Sequence, residues 1–428
     1  MAENFINIDR NTPMLLPPDL RDWVEENDLV HFILDVVAEI PNHQASVNLR
    51  GTGSAQYPPR AMLALLLYCY SHGIYSSRRI ERATHTHIGV RYLLANHHPD
   101  HDTIASFRQR NKDYIKHAFV TTVRIAQELG LTNLGTMAID GTSLRANAGR
   151  KTSMTYDQLE QLASGLCEER MEQAAQADEQ EKDAQIKAHT HSRGTIRNAL
   201  ARINRNHEDR RNEREAMRAQ VQRSGVGTLP QMLSEKVAPD KVVNMADPDC
   251  HFMKMKEGYC AAGYNAQIAV DTQSHLITAA LIADSSIDSH QILPVVEAAL
   301  ANSGGAVDVV VADAGYDNNH QIDQLKQRYG VSAVVAVKDP HRLGKRFLQT
   351  RQRQRVRRLK IERIEALATP EGRSLMSKRR ATVEAAFGII KHVMKFREFL
   401  TRGRENVANE WTLISAAYNL KRLTSLRA

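Results

Sequence analysis

The chain has 428 residues, 42% of them apolar, which is enough to bury a sizeable core in two or three domains and excludes wholesale disorder. Its 57 Lys and Arg against 49 Asp and Glu give a net charge of +8, a balance that suits a polyanionic partner. The four cysteines, Cys69, Cys167, Cys250 and Cys260, form no CxxC pair and show no regular spacing, which argues against a disulfide framework or zinc knuckle, and a reducing cytoplasm fits best. The opening MAENFINIDRNTPML is acidic and polar where an export signal would be basic and then apolar. The longest apolar run, AMLALLLYCY, is about half the length that crosses a bilayer, so it reads as a buried helix and no membrane association is expected.

Residues 1–130 read as helical. Leu20, Trp23, Val24, Leu29, Phe32, Ile33 and Val36 recur at helical spacing between Asp19 and Ile40. Tyr57-Pro58-Pro59 then opens an apolar helix over Ala61–Tyr70, as prolines do in a first turn. SSRRIERATHTHIGVRYLL and PDHDTIASFRQRN resemble two helices of a helix-turn-helix-like bundle, with Asp102 as N-cap and Arg108 and Arg110 pointing outward. With Arg78 and Arg79 on the preceding helix they are candidate nucleic-acid contacts. A plain bundle with solvated arginines has the same pattern. The cluster His97-His98-Pro99-Asp100-His101 reads as loop chemistry rather than a zinc site, as does Cys250-His251 with Cys260.

From Asn133 the pattern changes to strand. LGTMAID is a short buried strand ending at Asp140, and residues 157–222, rich in Glu, Gln, Ala and Arg, read as long helices inserted into an α/β domain. Gly225, Gly227 and Pro230 end them. GYNAQIAVD (263–271) and HLITAALIAD (275–284) form a hairpin across Thr272-Gln273-Ser274. A helix over Ser289–Ala301, the strand AVDVVVAD to Asp313, a helix over Asn318–Tyr329, the strand VSAVVAV and a helix bearing Glu384 complete the order. That order is the one found in the ribonuclease H-like fold, where the first and fourth strands lie side by side. The run Arg342–Arg363 holds ten Lys and Arg, Arg351, Arg353 and Arg355 among them, against the single acid Glu362. It reads as a solvated arm, or as a phosphate contact in a protein that holds DNA.

Three acids carry the chemistry. Asp140 and Asp313 each close a buried strand, and Glu384 lies on a periodic helix whose apolar stripe is Val383, Phe387, Ile390 and Met394. A second stripe carries Arg380, Glu384, Gly388, Lys391 and Lys395. Carboxylates from two strands and one helix can hold a pair of divalent ions about 4 Å apart, the arrangement for in-line displacement at phosphorus, and hard ions such as magnesium demand oxygen ligands. Arg380 and Lys391 would grip phosphates beside the metal. Asp271, Asp284, Asp288, Asp317 and Glu410 are rival acids, Asp271 the strongest, although its hairpin placement favours a turn role. Gly263 and Tyr264 read as strand chemistry, whereas Asn265 and Gln267 stay open as site residues.

On these residues the chain resembles the DDE transposases of bacterial insertion sequences, in the branch with an InsH-type helical N-terminal domain. The family signature Tyr-x2-Arg-x3-Glu-x6-Lys is met by Arg380, Glu384 and Lys391, with Ser377 in place of the tyrosine. IDGT at Asp140, DPDC with GYNAQIAVD, ADAGYD at Asp313 and FLTRGRENVANEWTLISAAYNLKRL match as well. The resemblance implies an α/β, ribonuclease H-like mixed-sheet catalytic domain over 131–428, with a helical insertion at about 150–245 and a basic insertion at about 338–376, after an all-α DNA-binding domain over 1–130. It implies metal-dependent cleavage at terminal inverted repeats and strand transfer to target DNA, with two Mg2+ ions, replaceable by Mn2+, held by Asp140, Asp313 and Glu384. The implied partners are the double-stranded DNA of transposon ends and target and a second copy of the chain in the DNA complex, with no membrane and no other protein. The implied location is the cytoplasm, at the nucleoid. Two other readings remain, a metal-dependent nuclease without strand transfer and a catalytically idle DNA-binding derivative.

Overall fold

Six strands build one mixed sheet in the order β4-β5-β1-β7-β8, with β6 also paired to β5. The structure is a computed structural model and describes residues 19–41, 44–47, 56–132, 135–149, 152–164, 183–224, 230–304, 307–337 and 351–427. The central strand β1 (Thr136–Arg145) runs antiparallel to β5 (Cys260–Asp271), from Met137 opposite Asp271 to Arg145 opposite Gly263. On its other side β1 runs parallel to β7 (Val309–Ala312), with Ala138 opposite Val311, and β7 is parallel to β8 (Ser332–Val335). The hairpin partner β6 (Ile277–Ile282) and the short β4 (His251–Lys254) share the outer edge of β5. The expected adjacency of the first strand and the strand before Asp313 is therefore present, in a ribonuclease H-like α/β arrangement.

Alternation along β1 divides the interior into two cores, because successive strand side chains face opposite sides of a sheet. Met137 and Ile139 pack with α8 (Ile292–Ser303) and α9 (Asn319–Tyr329) through Val295, Val296, Ala299 and Leu325. Ala138 and Leu144 face the larger core, which the sheet shares with the N-terminal helices. These are α1 (Leu29–Ala38), α2 (Pro59–Ser71), α3 (Ser77–Thr86), α4 (Ile88–Leu93), α5 (His101–Arg110) and α6 (Lys112–Glu128). Between them and the sheet runs the last helix, α13 (Arg404–Arg427), with Leu413, Ile414, Ala416, Ala417, Tyr418 and Leu420 all buried. A helix apolar on every side is a core helix, and this one joins the two halves. Asn419 makes the join specific. Its Nδ2 donates to Thr122 Oγ1 on α6 and to the Ile277 carbonyl on β6, while its Oδ1 accepts from the Ile277 amide.

Local capping moves several expected boundaries. The Asp28 carboxylate accepts from the Val30 amide and starts α1 afresh, so the amphipathic stretch from Asp19 becomes a 3-10 turn (Leu20–Trp23) followed by a separate helix. Asp100, not Asp102, caps α5, accepting from Thr103 N at 2.6 Å. The insertion contributes the long helix α7 (Asp183–Ser224) and a two-stranded sheet of β2 (Ser153–Thr155) with β3 (Val242–Asn244). The basic run forms α10 (Arg351–Ala368) from Arg351 onward, and α11 (Pro370–Arg379) follows it. No helix among the described residues is long and apolar enough to cross a membrane.

Candidate active site

Parallel pairing of β1 with β7 decides where the two aspartates go. The register sets Ala138 opposite Val311, so two residues further on Asp140 and Asp313 leave the carboxyl ends of neighbouring strands together. Asp140 Oδ1 accepts from the Gly141 amide at 2.9 Å, and Asp313 Oδ1 caps a 3-10 turn (Ala314–Tyr316) by accepting from Gly315 N at 2.8 Å. One cation joins them. Arg379 Nη2 lies 3.3 Å from Asp140 Oδ1 and 3.4 Å from Asp313 Oδ2, and its side chain is buried. The two carboxylates are thus no further apart than those distances laid end to end.

A third carboxylate stands beside them. Asp288 Oδ1 accepts from Asn265 Nδ2 at 2.8 Å and Gln267 Nε2 at 2.7 Å, and the Gln267 amide is fixed in turn by the Tyr316 hydroxyl. A Cβ at Gly141 would come within 2.7 Å of Asp288 Oδ1 and 2.2 Å of Gln267 Nε2, so that position admits glycine alone without displacing the cluster. A Cβ at Gly315 would meet Asp313 Oδ1 at 2.9 Å and Asp288 Oδ2 at 3.5 Å. Asp288 therefore reaches between the residues that follow both aspartates. Burial pushes the Asp140 carboxyl up to about 6; Arg379 opposes the rise, and Asp313 and Asp288 add to it. A site crowded with negative charge favours either a proton or a cation.

Glu384 is placed differently. The helix carrying it is two π-turns, Arg380–Glu384 and Ile389–Val393, flanking a single α-turn, α12 (Ala385–Gly388). A π-turn closes its hydrogen bond five residues along, and such turns recur at functional sites. The expected apolar stripe is present, with Val383, Phe387, Ile390 and Met394 all buried. Glu384 itself is exposed and makes no ion pair with another described residue. Among the described residues no three His, Cys, Asp or Glu side chains are gathered closely enough to hold an ion. Asp140 and Asp313 are brought together, and Glu384 is not joined to them. The oxygens of two carboxylates, hard donors of the kind a divalent cation takes, thus converge on one cationic position that a guanidinium occupies.

Other expected contacts divide by burial. Lys391 reaches across to β1, donating to Thr142 Oγ1 and to the Ser143 carbonyl, just past Asp140. Burial lowers its pKa, as do Lys256 and Arg397, while Glu257 and Asp140 oppose the fall. Arg380 and Lys395 are exposed, as are Arg78, Arg79 and Arg110. Arg108 is a correction. It points inward, 6% exposed, donating to the Tyr70 hydroxyl at 2.8 Å and the Tyr75 carbonyl at 3.2 Å, because its position on α5 faces the core. The side chains of Arg351, Arg353 and Arg355 lie outside the described residues.

The rival acids resolve into structural roles apart from Asp288. Asp271 accepts from Ser274 N and Oγ in the hairpin turn, Asp284 pairs with Arg404, and Asp317 pairs with Lys360 and Arg363. Glu410, fully buried, accepts from Leu400 N, Thr401 N and Thr401 Oγ1. The His97–His101 loop is held internally, His98 against Thr84 and His101 against Glu81. Sequence reasoning misses Arg379, although it stands four residues before Val383 on the same buried stripe. Asp288 stands in the sequence only as one of several rival acids, because it lies in a loop with no periodicity to single it out.

Residues 250–420 match the family model described as a transposase DDE domain, which takes in Asp313 and Glu384 and begins after Asp140. Residues 18–110 match the family model described as a transposase domain (DUF772), across the N-terminal helices. No curated protein and no solved structure matches the chain.

Proposed function

We propose that this chain, a member of the DDE transposases typical of bacterial insertion sequences, cuts DNA at the terminal inverted repeats of its own element and joins the freed ends to target DNA. The observation that carries the reading is the convergence of Asp140 and Asp313, from adjacent parallel strand ends, on a single cationic position now held by Arg379. In this reading Asp140, Asp313 and Glu384 would hold two Mg2+ ions, with Mn2+ able to substitute, and the metal would supply activation of the attacking oxygen and offset charge on the leaving one.

The chain's own residues do the remaining work. Asn265 and Gln267 fix the Asp288 carboxylate and so the two glycine turns beneath the aspartates. Lys391, held at Thr142, supplies a positive charge for the scissile strand, and the exposed Arg380, Lys395, Arg78, Arg79 and Arg110 bind phosphate further out. We assign end recognition to residues 1–130 and catalysis to residues 131–428, with two copies of the chain in the complex that holds both ends.

The test is cleavage and joining on a plasmid that carries the DNA flanking this coding sequence. Asp140→Asn, Asp313→Asn and Glu384→Gln each lose cleavage by at least about 100-fold while DNA affinity changes less than about threefold. Retained cleavage in any one of them removes that residue from the site. Cutting without joining of a supplied 3′-hydroxyl end shows a nuclease instead of a transposase, and no cutting by the parent chain at any Mg2+ or Mn2+ concentration shows an idle derivative.

A further inference from the structure

Below the insertion helix α7, at the edge of the catalytic sheet, lies a pocket of about 250 Å3. Its polar lining is Arg210 from α7, Lys241 before β3, His251 on β4 and Ser286 in the loop after β6; the other walls, such as Ile203 and Val243, are apolar. No carboxylate among the described residues lines it. Arg210, Lys241 and His251 are each half-buried. Among the described residues, Arg210 bonds through Nε to the Asn206 carbonyl of its own helix, and no hydrogen bond or ion pair engages the Lys241 ammonium. The acids within electrostatic reach are Glu213, which acts on Arg210, and Asp249, which acts on Arg210 and His251. Asp249 is already engaged by Arg202, Asn206 and the Arg404 amide.

Gathering three basic groups in a partly dry space is costly without a matching anion. Their own protonation shows it. Burial, then Arg210, brings Lys241 down to about 8, and burial, then Arg210, Lys241 and Arg404, brings His251 down to about 4. An anion with several acceptor oxygens would satisfy a guanidinium fork and an ammonium together, which is the chemistry of phosphate.

We infer that Arg210, Lys241 and His251 form a phosphate pocket, and that its occupant is a backbone phosphate of the DNA strand running into the Asp140–Asp313 site. The choice of DNA over free phosphate rests on continuity with that site and on the transposase reading above. Ser286 lines the pocket, and Asp288, two residues along the same loop, stands between Gly141 and Gly315. Two residues of chain span at most about 7 Å. A DNA strand advances about 3.4 Å per nucleotide, so a phosphate a few nucleotides from the scissile bond reaches the pocket. Arg214, one turn along α7 from Arg210, is close enough to His290 in that same loop to help lower its pKa, after burial.

The experiment uses the full chain carrying Asp140→Asn and duplexes of flanking-end DNA in which one phosphate at a time is a neutral methylphosphonate. One position near the cleavage site weakens binding about tenfold in the parent protein. Lys241→Gln lowers affinity for unmodified DNA by about as much, reduces the slope of log affinity against log salt by about one, and abolishes the sensitivity at that position. Lys241→Arg restores all three, which separates the pocket from a folding defect. Unchanged affinity and slope in Lys241→Gln, or sensitivity that persists in it, overturns the proposal. Inorganic phosphate that raises the melting temperature of the parent but not of Lys241→Gln, with DNA affinity equal in both, assigns the pocket to free phosphate and overturns the DNA occupant. A parent chain that binds no end DNA defeats the transposase reading, and the named occupant with it.

Discussion

Asp140 is half-buried beside Asp313 and Asp288 with one guanidinium to offset three carboxyls, and its own pKa rises to about 6 mainly through desolvation. The sign follows directly. A carboxyl raised in the folded state is protonated more readily there than in the unfolded chain, so it favours the metal-free fold at low pH, and that contribution is lost as pH climbs from the ordinary carboxylate value toward 6. Metal binding needs the ionised form and runs the other way. Mn2+ affinity measured by calorimetry on the full chain should therefore fall about tenfold per pH unit below about pH 6 and level off above it. Asp140→Asn should flatten that dependence. A profile that stays level between pH 5 and 7 would show that this carboxyl is ionised throughout or is not a ligand. Arg379 lies between the same oxygens, so an ion bound there would have to displace it or sit beside it.

Helix α5 shows how far an element can depart from its sequence pattern. Arg108 and Arg110 both look like solvent-facing arginines at the end of a polar helix, yet Arg110 is exposed and Arg108 is enclosed by Tyr70 and Tyr75. Arg108→Ala should lower stability by about 2–3 kcal/mol, through lost hydrogen bonds to a charged group, with little change in the salt dependence of DNA binding. Chemical denaturation and binding titrations separate the two effects, and a large loss of affinity in a stably folded variant would return Arg108 to the DNA surface. The strands were more legible. LGTMAID and AVDVVVAD are short, largely apolar runs that each end in Asp, and a parallel pairing of the two brings both acids to one edge. Asn265 and Gln267 stood out for a related reason, as polar residues inside an apolar strand. Less legible was contact made by irregular backbone. Asp288, in sequence one rival acid among several, acts through a loop, and Arg379 stands at the junction where an α-helix gives way to the π-turn Arg380–Glu384.

At the scale of the molecule, the helical N-terminal region and the catalytic sheet do not have separate interiors. Tyr68, Tyr114 and Phe119 belong to the same core as Ile268, Phe396, Trp411 and Tyr418, and Trp411 Nε1 donates to the Gln267 carbonyl at 3.0 Å, directly behind the amide that holds Asp288. Helix α13, from the far end of the chain, therefore supports both the N-terminal bundle and the site. Without it, α2 and α6 would expose apolar surface of several large side chains, each worth about 1.5–3 kcal/mol when buried, which together is comparable with the 5–15 kcal/mol that holds a typical domain folded. A fragment of residues 1–130 should thus fail to give a cooperative melt by circular dichroism, whereas the full chain should unfold its N-terminal helices and its sheet in one transition. Hydrogen exchange offers the sharper check. Amides of α2 and α6 should exchange with the same opening free energy as those of β1 and β5, and protection lost from the helices well before the sheet would mean that the two halves move as independent bodies.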